Sequence, residues 1–497
     1  RRWRHLGDHP VSDLAAPRKL GIQAERWCPA ELTEYEERAY CALGDVVAAS
    51  RLAGTMRCVR IGGGQESALE KDTNGDKHAD GDTQESSDER LAAVRSMAAN
   101  IGAPLLVAFV LFVLRRAREA GVQRLYFLSR RGELPLKIAS VFQEDFPEIE
   151  LRYLYASRWA WRPAAYGRWC RELWDDLMDP CFPMDLRKLL NVLRLGGTGI
   201  SNDFLAHFSR EDNADAMFEW LSQPAVTAAI NQGLTERRKL VLAYLDQEGL
   251  WERERSALVD DGWSGKTQRD LRWLLQSREV VPDLQGFFFG LSQERLPQKE
   301  CGLQHVFLDY DREGAVPGSP VRLLIWRHLI PEDLFMCSAG ERCVGYSQTG
   351  KRIEPIFVEQ PEGWRPRSVS TWHQTVLAFA REWQTAGASS ASTLLERIAL
   401  ANAAGFLQAP PREWMRCIEN LDLRVGVMEG GSIPLIKRLS LRDVAREQNW
   451  AGSAAALGRC GSYWPEGSLA ISGKWIKALV WAKRHGWKWV LGRALQG

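Results

Sequence analysis

The chain has 497 residues, a formal charge of +2 at pH 7, and 26% charged residues. This length allows about two to four domains with sizeable cores, and the charge balance argues against nucleic acid as a partner. Ten cysteines lie scattered without a CxxC pair, which favours reduced thiols and a cytoplasmic location over a disulfide framework. The longest apolar run, residues 103–114, is too short for a membrane span of about 20 residues and predicts a buried helix.

The N-terminal segment predicts a strand, a loop and a helix. A strand over residues 3–6 precedes the loop Gly7–Asp13 and a helix over residues 14–20. Asp8 and Asp13 follow the strand's carboxyl end, where two carboxylates can converge on one Mg²⁺ ion. The alternative is that Asp13 acts only as a helix N-cap.

Residues 61–92 are polar, acidic and rich in glycine and serine. A segment of this composition cannot bury enough apolar surface to offset its ordering entropy, so it predicts a flexible linker. Acidic residues alternate over residues 72–80 as in a calcium loop, but Lys77 and Thr83 stand where that loop needs glycine and glutamate. We therefore favour the linker over a calcium site.

Residues 121–158 predict a βαβ unit around which the rest of the chain is organised. A short apolar strand at 124–128 is followed by a glycine loop, a helix over 134–142 and a second strand over 149–155. Ligands of open α/β sheets bind at the carboxyl ends of the strands. Guanidinium groups bind oxyanions there, so we predict an anion site formed by Ser129, Arg130, Gly132, Ser157 and Arg158. The alternative is that the arginines cap helices or pair with surface acids.

A second strand–loop–helix pattern covers residues 256–275, after a helical stretch. Backbone N–H groups at the start of the helix over 266–275 favour an anion, so we predict a cradle formed with Gly262, Ser264, Lys266 and Thr267. Asp260 at the strand end is the predicted catalytic residue, as a general base or metal ligand. A helix cap is the alternative role for Asp260.

Two features close the chain. Residues 335–358 predict short strands around a turn, either a hairpin flap over a site or a sheet extension. The tail over residues 473–493 interleaves lysine and arginine with tryptophan. Such a helix suits peripheral contact with an anionic membrane, or it docks on the core with a basic outer face.

The loop Gly7–Asp13 with its helix resembles the fourth motif of haloacid dehalogenase-like (HAD) hydrolases. This resemblance implies that Asp8 and Asp13 are, or derive from, Mg²⁺ ligands. A HAD phosphatase also needs a DxD nucleophile motif, a Ser/Thr motif and a lysine upstream of this loop. The chain lacks them, so we expect an upstream part, and we expect no HAD phosphatase chemistry from this chain by itself.

The order of RLYFLSRRGE, LRYLYASRWAW, LVDDGWSGKTQ, GFFFGL and GYSQTGKRIEPIF resembles large bacterial HAD-superfamily hydrolases linked to surface-polysaccharide gene clusters. The resemblance implies a Mg²⁺-dependent, phosphatase-type hydrolase of cell-surface polysaccharide biosynthesis. It also implies a phosphorylated or nucleotide-linked sugar as substrate and glycosyltransferases as partners. The family loop reads (S/A)RDG, and Arg131 replaces its aspartate. This change removes an acid or metal ligand and leaves anion binding intact.

We therefore predict an α/β protein. Its predicted parts are the C-terminal part of a HAD-like Rossmannoid domain (1–60), the linker (61–92), a second, Rossmann-like α/β domain (93–360) with a helical insertion at about 160–250, and a helical C-terminal region (361–497). The first functional hypothesis is the HAD-like hydrolase. The alternatives are a sugar-phosphate or nucleotide-sugar transferase in the second domain, and a non-catalytic, membrane-peripheral scaffold for glycosyltransferases.

Overall fold

The protein is described by a computed structural model. The described residues are 3–7, 10–26, 31–66, 84–178, 185–208, 214–250, 255–276, 284–338, 340–358, 366–385, 392–419, 421–425, 431–446 and 462–485. Asp8, one of the two predicted metal ligands, lies outside them.

The N-terminal segment has the predicted strand–loop–helix order. Strand β1 (Arg4–Gly7) pairs in parallel with β2 (Gln23–Arg26). A π-helical turn (Pro10–Ala15) and helix α1 (Ala16–Lys19) connect the two strands. Asp13 lies inside the π-helical turn, so it is not the N-cap of α1, which is Ala15.

Four helices follow, and two of them extend into the predicted linker. They are α2 (Glu34–Tyr40), α3 (Val46–Glu66), α4 (Gln84–Met97) and, after a π-helical turn at Ala98–Gly102, α5 (Ala103–Glu119). Helices therefore enter the predicted linker from both ends, and its middle, residues 67–83, lies outside the described residues.

A five-stranded parallel sheet forms the centre of the protein. Its strands are β3 (Arg124–Leu128), β4 (Glu150–Leu154), β5 (Ser256–Trp263), β6 (Gln285–Leu291) and β7 (Gln304–Asp309). Their spatial order is β4-β3-β5-β6-β7. Counted along the chain this is 2-1-3-4-5, the order of flavodoxin-like doubly wound sheets, whereas the classic Rossmann order begins 3-2-1-4. The α/β prediction is confirmed at this level.

Both faces of the sheet are buried, which explains why its strands are continuous apolar runs. Side chains alternate between two cores because successive residues of a strand point to opposite faces. Leu125, Phe127 and Val259 lie in the larger core, which contains α5. Tyr126 and Leu258 lie in a second core on the other face.

The connections between the strands are mainly helical. They are α6 (Glu133–Val141), α7 (Arg158–Tyr166), α8 (Arg171–Leu177), α9 (Leu186–Val192), α10 (Gly199–His207), α11 (Ala214–Leu221), α12 (Pro224–Gln247), α13 (Lys266–Leu275) and α14 (Gln298–Cys301). Helices α8 to α11 build a core of their own with the N-terminal half of α12. This bears out the prediction of a helical stretch before β5.

The rest of the chain carries the predicted hairpin and further helices. After α15 (Pro320–Trp326) comes a π-helical turn (Pro331–Phe335), then the antiparallel strands β8 (Arg342–Thr349) and β9 (Arg352–Val358). The remaining elements are α16 (Pro366–Thr385), α17 (Ser392–Gln408), α18 (Arg412–Cys417), β10 (Asp422–Val425), β11 (Gly431–Pro434), α19 (Leu441–Arg446), α20 (Pro465–Ile471) and α21 (Lys474–His485).

The larger core crosses the predicted domain boundaries. Tyr35 of α2 stacks on Trp414 of α18, with ring centroids 5.3 Å apart. Leu52 of α3 and Trp372 of α16 are fully buried in the same core as the sheet. The predicted boundary at residue 60 therefore falls inside α3, a helix whose apolar side belongs to this core.

One helix in the described part of the chain is long and apolar enough to cross a membrane. It covers Asp88–Glu119, and 94% of its most apolar window is buried inside the protein. The neighbouring elements thus already cover the apolar surface that a membrane span would present to lipid. The prediction of a buried helix over residues 103–114 is confirmed.

Candidate functional site

A cleft opens at the carboxyl edge of the sheet, where β3 and β5 lie side by side. From β3 the chain runs to β4 on one side and later to β5 on the other, and ligands of doubly wound sheets bind at such a switch point. The cleft encloses about 90 Å³ and is lined by residues 128–131, 156–159, 260–261, 267 and 342–343. It brings together six predicted site residues: Ser129, Arg130, Ser157, Arg158, Asp260 and Thr267.

The two serines of the cleft have structural hydrogen bonds. The Ser129 hydroxyl donates to the carbonyl of Ala156 and accepts from its amide, both at 3.0 Å, which ties the end of β3 to the end of β4. The Ser157 hydroxyl accepts from the Ala160 amide at 3.0 Å and caps α7. Their hydroxyl groups shape the cleft and position the residues beside them.

Cationic side chains reach the cleft from three different elements. Arg130 follows β3, Arg158 opens α7, and Arg342 opens β8 of the hairpin. Among the described residues, no carboxylate lies within ion-pair distance of the Arg158 side chain, which is exposed. The Arg342 guanidinium lies over the Trp159 ring, 5.4 Å from its centroid. Arg342 was missed at the sequence level because a hairpin far along the chain carries it.

Asp260 and Asp261, at the end of β5, form a carboxyl pair. Burial, the charge of Asp261 and a hydrogen bond between the two carboxyl groups raise the pKa of Asp260 well above its usual range. The Thr267 hydroxyl hydrogen-bonds to Asp260 and opposes this rise only in part. Asp261 has other partners, the Gly262 amide at 3.1 Å and the Arg131 guanidinium at 3.1 Å.

Arg131 lies among three carboxylates beside the cleft. Its guanidinium nitrogens are 3.1 Å from Asp261, 2.8 Å from Glu332 and 2.9 Å from Asp333. Burial nevertheless raises the pKa of Glu332 to about 7, because it outweighs the attraction of Arg131 and the acids nearby add repulsion. Glu332 and Asp333 belong to the π-helical turn after α15. No spacing in the sequence connects that turn with β3.

The starts of three helices meet at the cleft. Arg130 and Arg131 come just before α6, Arg158 and Trp159 begin α7, and Thr267 is the second residue of α13. Helix N-termini present unpaired N–H groups and a partial positive charge, both of which favour anions. Together with the arginines, this makes the cleft suited to a phosphate or carboxylate group.

Two predicted glycines have backbone roles and do not line the cleft. A Cβ atom on Gly132, the N-cap of α6, would lie 2.4 Å from the Leu128 carbonyl oxygen. Gly262 has φ +98°, and a Cβ there would lie 2.3 Å from the Gly290 carbonyl oxygen of β6. Both glycines therefore allow a close backbone approach that shapes the strand ends.

Ser264 and Lys266, predicted to form an anion cradle, lie outside the cleft lining. The Lys266 ammonium donates to Asp176 of α8 at 2.6 Å, and Asp176 also pairs with Arg269 at 2.6 Å. The Ser264 hydroxyl accepts a long hydrogen bond, 3.4 Å, from the Lys266 amide. The α13 N-terminus does reach the cleft, but through Thr267. The helical segment between β4 and β5 supplied a carboxylate partner for Lys266 that helix position alone does not reveal.

The magnesium site that the HAD resemblance implies lies partly outside the described residues. At the N-terminal loop, Asp13 Oδ1 lies 3.2 Å from His5 Nε2, and Asp8 is outside the described residues. Within the described ranges, no group of three or more His, Cys, Asp or Glu side chains could hold a metal ion. At the cleft, the Arg131 guanidinium occupies the position between carboxylates that a cation needs. The carboxylates beside the cleft therefore do not fit a Mg²⁺ ion.

The C-terminal helix α21 docks on the protein through one face. Val480 is buried in a small cluster with Leu439 and Val444, and the Lys483 ammonium donates to the Val444 carbonyl at 2.6 Å. Trp475 and Trp481 are 86% and 41% exposed on this helix. Of the predicted tail, residues 486–493 lie outside the described residues. The docked arrangement, one of the two predicted, is present for α21.

Comparison with known proteins adds no assignment. No family model matches the chain, and no curated protein matches it.

Proposed function

We propose that the cleft is the active site of an enzyme that binds the phosphate of a phosphorylated or nucleotide-linked sugar and transfers a phosphoryl group, in the simplest case to water. The convergence of Arg130, Arg158 and Arg342 in one cleft with Asp260, whose pKa is raised, carries this proposal. The resemblance to HAD-superfamily hydrolases of surface-polysaccharide biosynthesis supports the same substrate class. A HAD-type reaction with Asp8 and Asp13 as Mg²⁺ ligands stays a prediction.

The arginines and helix N-termini would hold the phosphate by charge-assisted hydrogen bonds, which are about twice as strong as neutral ones. As the bond between phosphorus and the sugar oxygen breaks, Asp260 donates its proton to that oxygen, and the sugar leaves as an alcohol. A water oxygen forms the new bond to phosphorus, and its released proton restores Asp260. A carboxyl group that stays protonated near neutral pH suits this role of general acid.

Pyrophosphate binding to the whole chain tests the anion site directly. Isothermal titration calorimetry should detect binding to the wild-type protein, and Arg158→Ala should weaken it about tenfold or more, since a hydrogen bond to a charged group contributes about 1.5–3 kcal/mol. Arg352→Ala is the matched control, because this exposed arginine of β9 does not line the cleft. Absent binding to a folded wild-type protein, or equal losses in the two variants, would refute the proposal.

Phosphate release from sugar phosphates and nucleotide sugars tests the reaction. We expect release with the wild-type chain and none above background with Asp260→Asn. Binding without release from any substrate of this class would leave an anion-binding module and would rule out the enzyme.

A second candidate, peripheral attachment to membranes, is favoured by the exposure of Trp475 next to the basic residues of α21. Co-sedimentation with phosphatidylcholine vesicles, with and without phosphatidylglycerol, tests it. Trp475→Ala should reduce binding to the anionic vesicles. Leu43→Ala is the control and should not reduce it, because Leu43 is 87% exposed in the loop before α3. Equal sedimentation with both vesicle types and all variants would exclude this function.

A further inference from the structure

An exposed aromatic surface adjoins the cleft. Tyr155 and Phe357, which we call the aromatic shelf, are 36% and 37% exposed. Their rings meet edge to face with centroids 5.1 Å apart, and Tyr155 meets Tyr153 in the same way at 5.2 Å. Large aromatic side chains bury 150–250 Å² when covered, so leaving two together in water is costly unless they meet a partner.

The backbone connects the shelf with the cleft on both sides. Tyr155 directly precedes the cleft residues Ala156–Trp159. Phe357 lies opposite Cys343 in the β8–β9 pairing, and Cys343 lines the cleft. Directly opposed residues of an antiparallel pair point to the same face. Phe357 therefore shares the face of Cys343 and stands at the rim of the cleft.

The cleft is open to solvent on one side. Its accessible volume of about 90 Å³ has room for a phosphate-sized group. A larger group attached to that phosphate can extend across the rim, where the shelf offers ring surfaces. Aromatic side chains hold nucleobases by stacking, which tolerates any base because every base has a π face.

We propose that the aromatic shelf binds the base of a nucleotide whose phosphates occupy the cleft, so that the ligand class is a nucleoside diphosphate or its sugar ester. This inference rests on the proposed anion site and extends it, because it distinguishes a nucleotide-linked substrate from a simple sugar phosphate. Tyr155 and Phe357 contribute affinity and recognition of the base, and the arginines contribute recognition of the phosphates.

Calorimetry with three probes tests the proposal: uridine diphosphate, inorganic pyrophosphate and glucose 1-phosphate. The wild-type chain should bind uridine diphosphate at least about tenfold more tightly than pyrophosphate, the effect of one base-stacking contact. Phe357→Ala should remove this advantage and leave pyrophosphate affinity unchanged. Ile356→Ala is the matched control, because Ile356 is 39% exposed on the same strand but points to the opposite face.

The outcomes separate the two proposals. Equal affinity for uridine diphosphate and pyrophosphate would refute base binding by the aromatic shelf and leave the anion site unaffected. An equal loss of affinity for both probes in Phe357→Ala would have the same meaning. If glucose 1-phosphate alone binds more tightly than pyrophosphate, and this advantage depends on Phe357, the aromatic shelf binds a sugar ring and not a nucleobase. If none of the probes binds, both the anion site and the shelf fail.

Discussion

The guanidinium of Arg131 lies 3.1 Å from the carboxylate of Asp261, and this ion pair joins the ends of β3 and β5 at the switch point of the sheet. The same guanidinium reaches Glu332 and Asp333 of a turn about 200 residues further along the chain. Arg131 is thus the cation that holds three carboxylates together beside the cleft.

Replacing Arg131 should therefore destabilise the protein strongly. Arg131→Gln removes the cation from Asp261 and Glu332 and leaves Asp333 only a 3.9 Å contact with Arg130. Breaking a buried ion pair in this way costs about 3–5 kcal/mol. Urea denaturation measures the loss. The matched control is Arg116→Gln, whose partner Glu119 is exposed, and it should cost less than about 1 kcal/mol. A loss for Arg131→Gln as small as that of the control would contradict the buried ion-pair network.

Glu332 should make stability depend on pH. Its pKa is raised to about 7 by burial, so the folded protein holds this proton over a pH range in which the unfolded chain has lost it. The free energy of unfolding that this proton contributes at low pH is therefore lost as the pH rises from about 4.5 to 7. The wild type should lose this contribution between pH 5 and pH 8, whereas Glu332→Gln should not. The free energy of unfolding of the variant relative to the wild type should therefore be higher at pH 8 than at pH 5, by on the order of 2 kcal/mol. Urea titrations at both pH values check this, and a difference that does not change with pH would speak against it.

Asp260→Asn should separate binding from catalysis. Because the pKa of Asp260 is raised well above its usual range, we expect the amide to change the charge of the cleft little, and it keeps the size of the side chain. Pyrophosphate affinity should stay within about twofold, while turnover falls by about 10²–10⁴, the usual contribution of a general acid. Calorimetry and a phosphate-release assay on the same preparation measure the two effects. A large loss of affinity would mean that Asp260 binds the ligand and does not act as a proton donor.

Lys266 should contribute to the stability of the protein and not to anion binding. Its ammonium pairs with Asp176 and the residue does not line the cleft. Lys266→Ala should lower the free energy of unfolding by about 1 kcal/mol, as for a partly exposed ion pair. Pyrophosphate affinity should not change, in contrast to Arg158→Ala. A tenfold loss of affinity in Lys266→Ala would restore the anion cradle that the sequence predicted.

Gly262 should not tolerate a side chain. Its φ is +98°, and the Gly290 carbonyl oxygen lies 2.3 Å from the position that a Cβ atom would take, so a side chain adds a steric clash to backbone strain. Gly262→Ala should thus yield little soluble protein or lower the melting temperature sharply. Gly350→Ala is the control, because Gly350 has φ +63° but no atom within 4 Å of its Cβ position, and strain alone costs roughly 1 kcal/mol. Similar melting temperatures for the two variants would refute the close approach of β5 and β6.

Local patterns in the sequence located the frame of the site. Strand β3, helix α6 and strand β4 lie within a residue or two of their predicted positions, and α13 covers Lys266–Leu275 as predicted. These elements have local signals: apolar runs bounded by glycine, and helical spacing after a polar turn. Arg130 and Arg158 follow the ends of β3 and β4, Asp260 lies in the C-terminal half of β5, and parallel strands bring these ends to one edge. Their meeting in one cleft was predictable for this reason.

What the sequence by itself determined is thus the α/β class, the central strands and the edge at which polar side chains gather, because all of these follow from short-range periodicity and from the geometry of parallel strands. Only the tertiary structure decided which charges are paired with one another and which face the cleft. Asp176 binds Lys266 from about 90 residues away, and Glu332 and Asp333 bind Arg131 from a distant turn. The hairpin brings Arg342 and Phe357 to the rim. Ion pairing and burial depend on distance in space, and no local pattern encodes the neighbour that a folded chain brings to a side chain.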